Sequence, residues 1–220
     1  MRKADLTIIT NRLLAAAVED QGGRPFTLPD RIPEPPPLSV SKLCGEFNAV
    51  LISTFAPDEP VAAVFDAVRG ANIELYVTGN HRKLTPAAAQ RAPSNVHLTG
   101  FLSEREYWTL LQSADAIIDL TLMDNCLVCG AYEALAVGKP MLLSKNRAGV
   151  ELFGDSALYT DNDAADIRRM LEQLKRECAR LARASVAKRA ELAAGWSARA
   201  ERLAQILRQW KTGVRSQRFG

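Results

Sequence analysis

Histidine is almost missing from this 220-residue sequence, with His81 and His97 the whole complement, which excludes a histidine-rich metal centre. Cysteines number four, Cys44, Cys126, Cys129 and Cys178. Cys126-x-x-Cys129 has no second pair to complete a four-ligand zinc site, and small packing residues explain it better than a redox dithiol. Aromatic residues make up only 6% of the chain. No apolar run reaches the roughly 18 residues that a membrane span requires. The segment Met1–Gln21 is charged and lacks a small-residue cleavage pattern, so no leader is expected and the expected location is cytoplasmic. A formal net charge of +3 is too small to argue for a nucleic-acid partner, and none is expected. What is present is 47% hydrophobic and 24% charged, the balance of a globular chain able to bury a core.

The charge is uneven. Residues 161–220 carry 14 Lys and Arg against 7 Asp and Glu, whereas residues 1–160 carry 14 against 18. A solvated basic helical face accounts for this. A sharper reading is peripheral contact with an anionic membrane, at its inner face.

Pattern divides the chain into three stretches. In residues 1–35, Leu6–Ile9 and Pro25–Leu28 read as strands around a helix capped by Thr10 or Asn11, and the proline-rich run from Pro29 to Pro37 reads as a linker. Residues 36–163 alternate. Strands are expected at Ala49–Ser53, Ile73–Thr78, Val96–Thr99, Ala116–Leu120, Met141–Ser144 and Ala157–Tyr159. Between them, helices are expected at Pro60–Val68, Thr85–Gln90, Ser103–Ser113 and Leu127–Val137, with a turn around Gly149. Ser103 with Glu106 makes a capping box. Residues 164–220 are helical in period, and two or three amphipathic helices are expected there. The fold class is therefore α/β, a Rossmann-like parallel sheet with helices on both faces.

In such a sheet, ligands bind beyond the carboxyl ends of the strands. Gly79 follows one strand end and Gly100, Phe101 and Leu102 follow another. The most informative segment runs from Thr121 to Pro140. There a polar loop leads into a helix whose first residues, Leu127, Val128, Cys129 and Gly130, offer backbone N–H groups to an anion such as a diphosphate. Glu133, about one turn in, can accept two hydrogen bonds from a ribose diol.

From about residue 40 to 165 the chain resembles the carboxyl-terminal, nucleotide-sugar-binding domain of the GT-B glycosyltransferases of the retaining group 1 family. Val96-His97-Leu98-Thr99-Gly100-Phe101-Leu102, Ser113-Ala114-Asp115-Ala116, Tyr132 through Pro140 and Gly149-Val150-Glu151 carry the resemblance. Residues 1–35 resemble the last β-α-β of that family's acceptor domain. The stretch around Trp196–Trp210 resembles the helix that crosses back to it.

The resemblance implies a UDP- or GDP-linked sugar as substrate, with no permanent cofactor and no metal. It places the base near Gly100–Leu102 and the ribose on Glu133. In the family's E-x7-E motif the first glutamate touches the sugar. Counting back eight residues from Glu133 gives Asn125, whereas counting from the strand end gives Asp124, which keeps a carboxylate and is the preferred position. Transfer of a hexosyl group to a saccharide or lipid-linked acceptor, with retention, is the implied activity.

The sequence departs from the family in one loop. Thr54 and Glu59 stand where an Arg and a Lys usually meet the diphosphate, leaving Arg82, Lys83, Lys145 and Arg147 as substitute cations. With only the last fragment of an acceptor domain present, an acceptor-domain partner or a homo-oligomer is expected. The alternative is a non-catalytic nucleotide-binding or scaffold module. An epimerase of the same architecture would also need two domains.

Overall fold

The structure, a computed structural model, describes residues 4–37, 40–84 and 91–211. Two compact units divide it, one combining the segment up to Arg31 with the chain from Ala190 onward, the other formed by Ile32–Arg189. The sequence-based boundaries at residues 35 and 163 follow composition; this grouping follows contacts in space.

In the first unit, β1 (Thr7–Ile9) pairs in parallel with β2 (Pro25–Thr27), with Ile8 opposite Phe26. Between them a 3-10 turn at Arg12–Leu14 leads into α1 (Ala15–Glu19). Of the two expected caps it is Asn11 that acts, its side chain accepting from the Leu13 N–H at 3.1 Å.

The larger unit is a six-stranded parallel sheet. It comprises β3 (Asn48–Leu51), β4 (Glu74–Thr78), β5 (Val96–Gly100), β6 (Ala116–Asp119), β7 (Met141–Ser144) and β8 (Ala157–Thr160), in the order β5-β4-β3-β6-β7-β8. The order reverses between β3 and β6, so right-handed crossovers place the helices of the two halves on opposite faces. Alternation along each strand builds both cores. Ala49, Leu51, Ala116 and Ile118 join the cluster under α2 (Val61–Val68), where Val64, Phe65 and Val68 are buried. Val50 and Ile117, one residue out of phase, are buried as well. α3 (Glu104–Ser113) begins with the expected capping box between Ser103 and Glu106. α4 (Cys129–Val137) starts two residues later than expected and ends at Gly138, whose φ of 68° is the left-handed cap that glycine permits. The expected helix at Thr85–Gln90 lies outside the described residues.

Two sequence expectations need correction. The segment around Gly149 is not a turn but a helix, α5 (Arg147–Phe153), because Asn146 caps it by accepting from the Gly149 N–H at 2.8 Å. The two or three closing helices are one, α6 (Ala164–Lys211). No proline interrupts that span and its sole glycine, Gly195, costs only about 1 kcal/mol. Asp163 starts α6 by accepting from the Asp166 N–H at 2.9 Å. Up to Leu181 the helix contributes Ile167, Leu171 and Leu174 to the core. No helix among the described residues is long and apolar enough to cross a membrane.

Candidate functional site

The reversal of strand order makes the loops after β3 and β6 diverge at the carboxyl edge of the sheet, which is where such folds form a crevice. On the β3 side of that reversal, over the carboxyl ends of β3, β4 and β5, lies a cleft of about 390 Å³. Ser53 and Thr54 line it after β3, Gly79, Asn80 and Lys83 after β4, and Gly100, Phe101 and Leu102 after β5. Five residues singled out from the sequence, Gly79, Lys83, Gly100, Phe101 and Leu102, thus converge on one cavity. Gly79 is required by space as well as conformation: φ is +95°, and a Cβ would lie 2.0 Å from the Ser53 carbonyl oxygen. Gly100 also has positive φ, at +70°. Phe101 is 83% exposed, leaving its ring free to serve as a stacking surface.

Tyr107 of α3 lines the same cleft and donates its hydroxyl to Glu133 of α4 at 2.6 Å. Burial pushes the Glu133 carboxyl above its ordinary value, and the Tyr107 hydrogen bond partly opposes this. One bond leaves the carboxylate further acceptor capacity. Tyr107 was not legible as a site residue, since its partner lies 26 positions away on another helix.

The loop after β3 holds a carboxylate where a diphosphate-binding chain would need cations. Glu59 accepts from the backbone N–H of Thr54 at 3.0 Å and of Phe55 at 2.9 Å, from the Thr54 hydroxyl at 2.6 Å, and from the Ser53 hydroxyl. Phe55 sits at φ 55°, so the loop curls its amides around the glutamate as such nests curl around anions. Next to it, Asp58 accepts from the Thr121 hydroxyl at 2.9 Å, tying the loops after β3 and β6 together. The cation at this place is Lys83, whose Nζ lies 2.8 Å from the Thr54 carbonyl oxygen.

A further acid, Asp119 at the end of β6, was also missed by sequence reasoning. Its Oδ2 accepts from the Gly130 N–H at 2.8 Å, so part of the α4 start is satisfied from within the chain. A Cβ on Gly130 would come within 2.5 Å of that oxygen, which explains why glycine stands there. Burial pushes the Asp119 carboxyl up to about 8, against the Gly130 bond, with Glu133 and Glu59 adding repulsion. The only signal in the sequence was a carboxylate closing an otherwise apolar strand.

The remaining candidates lie elsewhere on this edge. Asp124 is exposed and Asn125 is half-buried with φ 55°; neither lines the cleft. Leu127 is buried, Val128 precedes α4 as its cap residue, and Cys129 is exposed. Arg82 is not among the cleft-lining residues, Lys145 pairs with Asp161 at 3.6 Å, and Arg147 pairs with Glu151 at 2.9 Å. Burial together with Asp119 and Asp58 raises the Cys126 thiol, the reverse of what an activated dithiol requires.

No protein-family model matches this sequence, and no curated protein matches it either. Solved structures do. The sucrose-phosphate synthase of Thermosynechococcus elongatus superposes with a TM-score of 0.77 at 18% identity, over 96% of this chain and 59% of that one. Anabaena HepE in complex with UDP gives 0.78 at 15% identity, over 94% of this chain and 64% of that one. A UDP-forming trehalose-phosphate synthase of Burkholderia xenovorans gives 0.62 at 12% identity, over 91% and 60%. This chain therefore spans about three fifths of the length of the structures it matches. Its fold is that of the GT-B glycosyltransferases, as the motifs from Val96 to Glu151 led one to expect.

Proposed function

We propose that this chain is the donor-binding half of a glycosyltransferase and takes a UDP- or GDP-linked sugar in the cleft at the ends of β3, β4 and β5. The observation that carries the reading is the convergence of Gly79, Gly100, Phe101 and Leu102 on one cavity of a GT-B fold, with Glu133 held beside it by Tyr107. The HepE complex with UDP supports the choice of ligand class. Phe101 and Leu102 take the base, and Glu133 takes the ribose diol with its remaining acceptor capacity. The amides of the α4 start from Leu127 to Cys129, beside the Gly130 N–H that Asp119 already holds, and aided by Lys83, Arg82 and Lys145, face the leaving diphosphate. Asp124 or Asn125 meets the sugar. The hexosyl group passes with retention to a saccharide or lipid-linked acceptor, held by an acceptor domain in a partner chain, in a second copy, or in a part of the protein beyond this sequence.

Glu59 favours a second reading. A carboxylate already seated in the loop amides, with Asp58 and Asp119 close by, suits a module that binds a nucleoside without transferring a sugar. Calorimetric titration with uridine, UDP, GDP and UDP-glucose separates the two. The donor reading expects UDP or GDP to bind at least tenfold tighter than uridine, about 1.4 kcal/mol, and Glu133→Ala to abolish the binding. Uridine and UDP binding within a few-fold of each other would establish the module reading. A folded chain that binds none of them overturns both.

A further inference from the structure

At the opposite, amino-terminal edge of the sheet, three different metal-ligating side chains meet. Cys44 belongs to the loop before β3, Glu74 opens β4 and His97 is the second residue of β5. Their ligand atoms all lie within 4.8 Å of one another. Cys44 Sγ is 3.7 Å from His97 Nε2 and 4.0 Å from Glu74 Oε2, and those two are 2.6 Å apart. Ligand atoms around a tetrahedral zinc ion, with Zn–S near 2.3 Å and Zn–N near 2.0–2.1 Å, stand about 3.3–3.6 Å apart. Two of the three separations are already close to that spacing. The third is a 2.6 Å hydrogen bond that side-chain rotation must open by about 0.7 Å or slightly more to reach that spacing.

The surroundings hold these groups in place. The Tyr76 ring stacks on His97, with centroids 4.7 Å apart and planes at 23°. The Tyr76 hydroxyl accepts from the Cys44 N–H at 3.3 Å and lies 3.0 Å from Cys44 Sγ, positioned to donate to a thiolate. Asn48 clamps the loop by accepting from the Gly45 N–H at 3.0 Å and donating to the Gly45 carbonyl at 2.9 Å. Gly45 itself packs so closely that a Cβ would lie 2.4 Å from Glu74 Cγ. Such outer partners are what orient metal ligands. Cys44 is exposed, which provides an entry path for an ion.

We propose that Cys44, Glu74 and His97 form a zinc site with water as the fourth ligand, pinning the loop before β3 to β4 and β5. The thiolate, imidazole and carboxylate set suits a borderline-soft tetrahedral ion. On binding, the Cys44 S–H gives its proton to solvent and a Zn–S bond forms. The proton of the His97 Nε2–Glu74 Oε2 hydrogen bond is released to solvent, so that Nε2 and Oε2 both ligate, and the neutral imidazole carries its proton on Nδ1. This site is remote from the cleft and does not depend on the proposed function.

The test is titration of the reduced, metal-free full chain with Co²⁺, followed by Zn²⁺. One equivalent of Co²⁺ should produce a sulfur-to-cobalt charge-transfer band and strong tetrahedral visible bands, which Zn²⁺ then removes. Cys44→Ser should lose the charge-transfer band. His97→Gln should weaken binding by at least about tenfold. The Cys126→Ser, Cys129→Ser double variant should titrate as the parent does. Zn²⁺ should raise the melting temperature of the parent but not that of Cys44→Ser, with far-ultraviolet circular dichroism showing both folded. Absence of the charge-transfer band, its survival in Cys44→Ser, or its loss in the double variant would overturn the site.

Discussion

Asp119 folds with its carboxyl pushed up to about 8, against about 3.9 in an unfolded chain. Between those values the folded protein binds a proton that the unfolded one has released. The contribution of this group to stability is therefore full below about pH 4 and falls as pH rises toward 8, with a slope of up to about 1.4 kcal/mol per pH unit. Asp119→Asn keeps an acceptor for the Gly130 N–H and removes the titration. The stability of the variant, measured by urea unfolding, should decline less from pH 5 to pH 8.5, with Glu133, whose carboxyl is raised in the same direction, still contributing. Parallel curves for parent and variant would refute the assignment. At this scale the sequence was partly legible. Glu133 stood out because a motif with fixed spacing surrounds it. Tyr107 and Asp119 did not, because each acquires its meaning from a partner on another element.

Loops and helices show why the same residue type plays different parts. Gly79 and Gly70 both have positive φ, at +95° and +69°, yet a Cβ at Gly70 would meet nothing within 4 Å. Gly70→Ala should cost about 1 kcal/mol, the left-handed penalty alone. Gly79→Ala must also push the loop after β4 off the Ser53 carbonyl, so it should cost about 3 kcal/mol or more and reshape the cleft. Thermal unfolding of the two variants side by side checks this, and equal losses would rule it out. Strands were legible because fully apolar runs such as Ala49–Leu51 and Ala116–Ile118 admit little else. The closing helices were divided too finely, since apolar periodicity fades where α6 leaves the core after Leu181 although no residue there ends a helix. The loop after β3 was read correctly as acidic, but Glu59's five donor contacts to Ser53, Thr54 and Phe55 depend on the turn at Phe55, which composition does not reveal.

Across the molecule, the main core is confined to one stretch of chain, because every buried residue of the principal cluster lies between Phe47 and Leu181. A fragment of residues 32–189 should consequently fold alone, with a single cooperative thermal transition and the circular dichroism of a mixed α/β protein. A broad, non-cooperative melt would contradict that. The other unit is assembled differently, from both ends of the sequence. That discontinuity sets a timetable during synthesis. The Ile32–Arg189 unit can close as it emerges from the ribosome, whereas β1 and β2 leave first and find their helical companion only after Ala190 and the residues beyond it have been made. For the interval in between, β1 and β2 wait for the later-made part of their own unit, while the Ile32–Arg189 unit already holds its whole core.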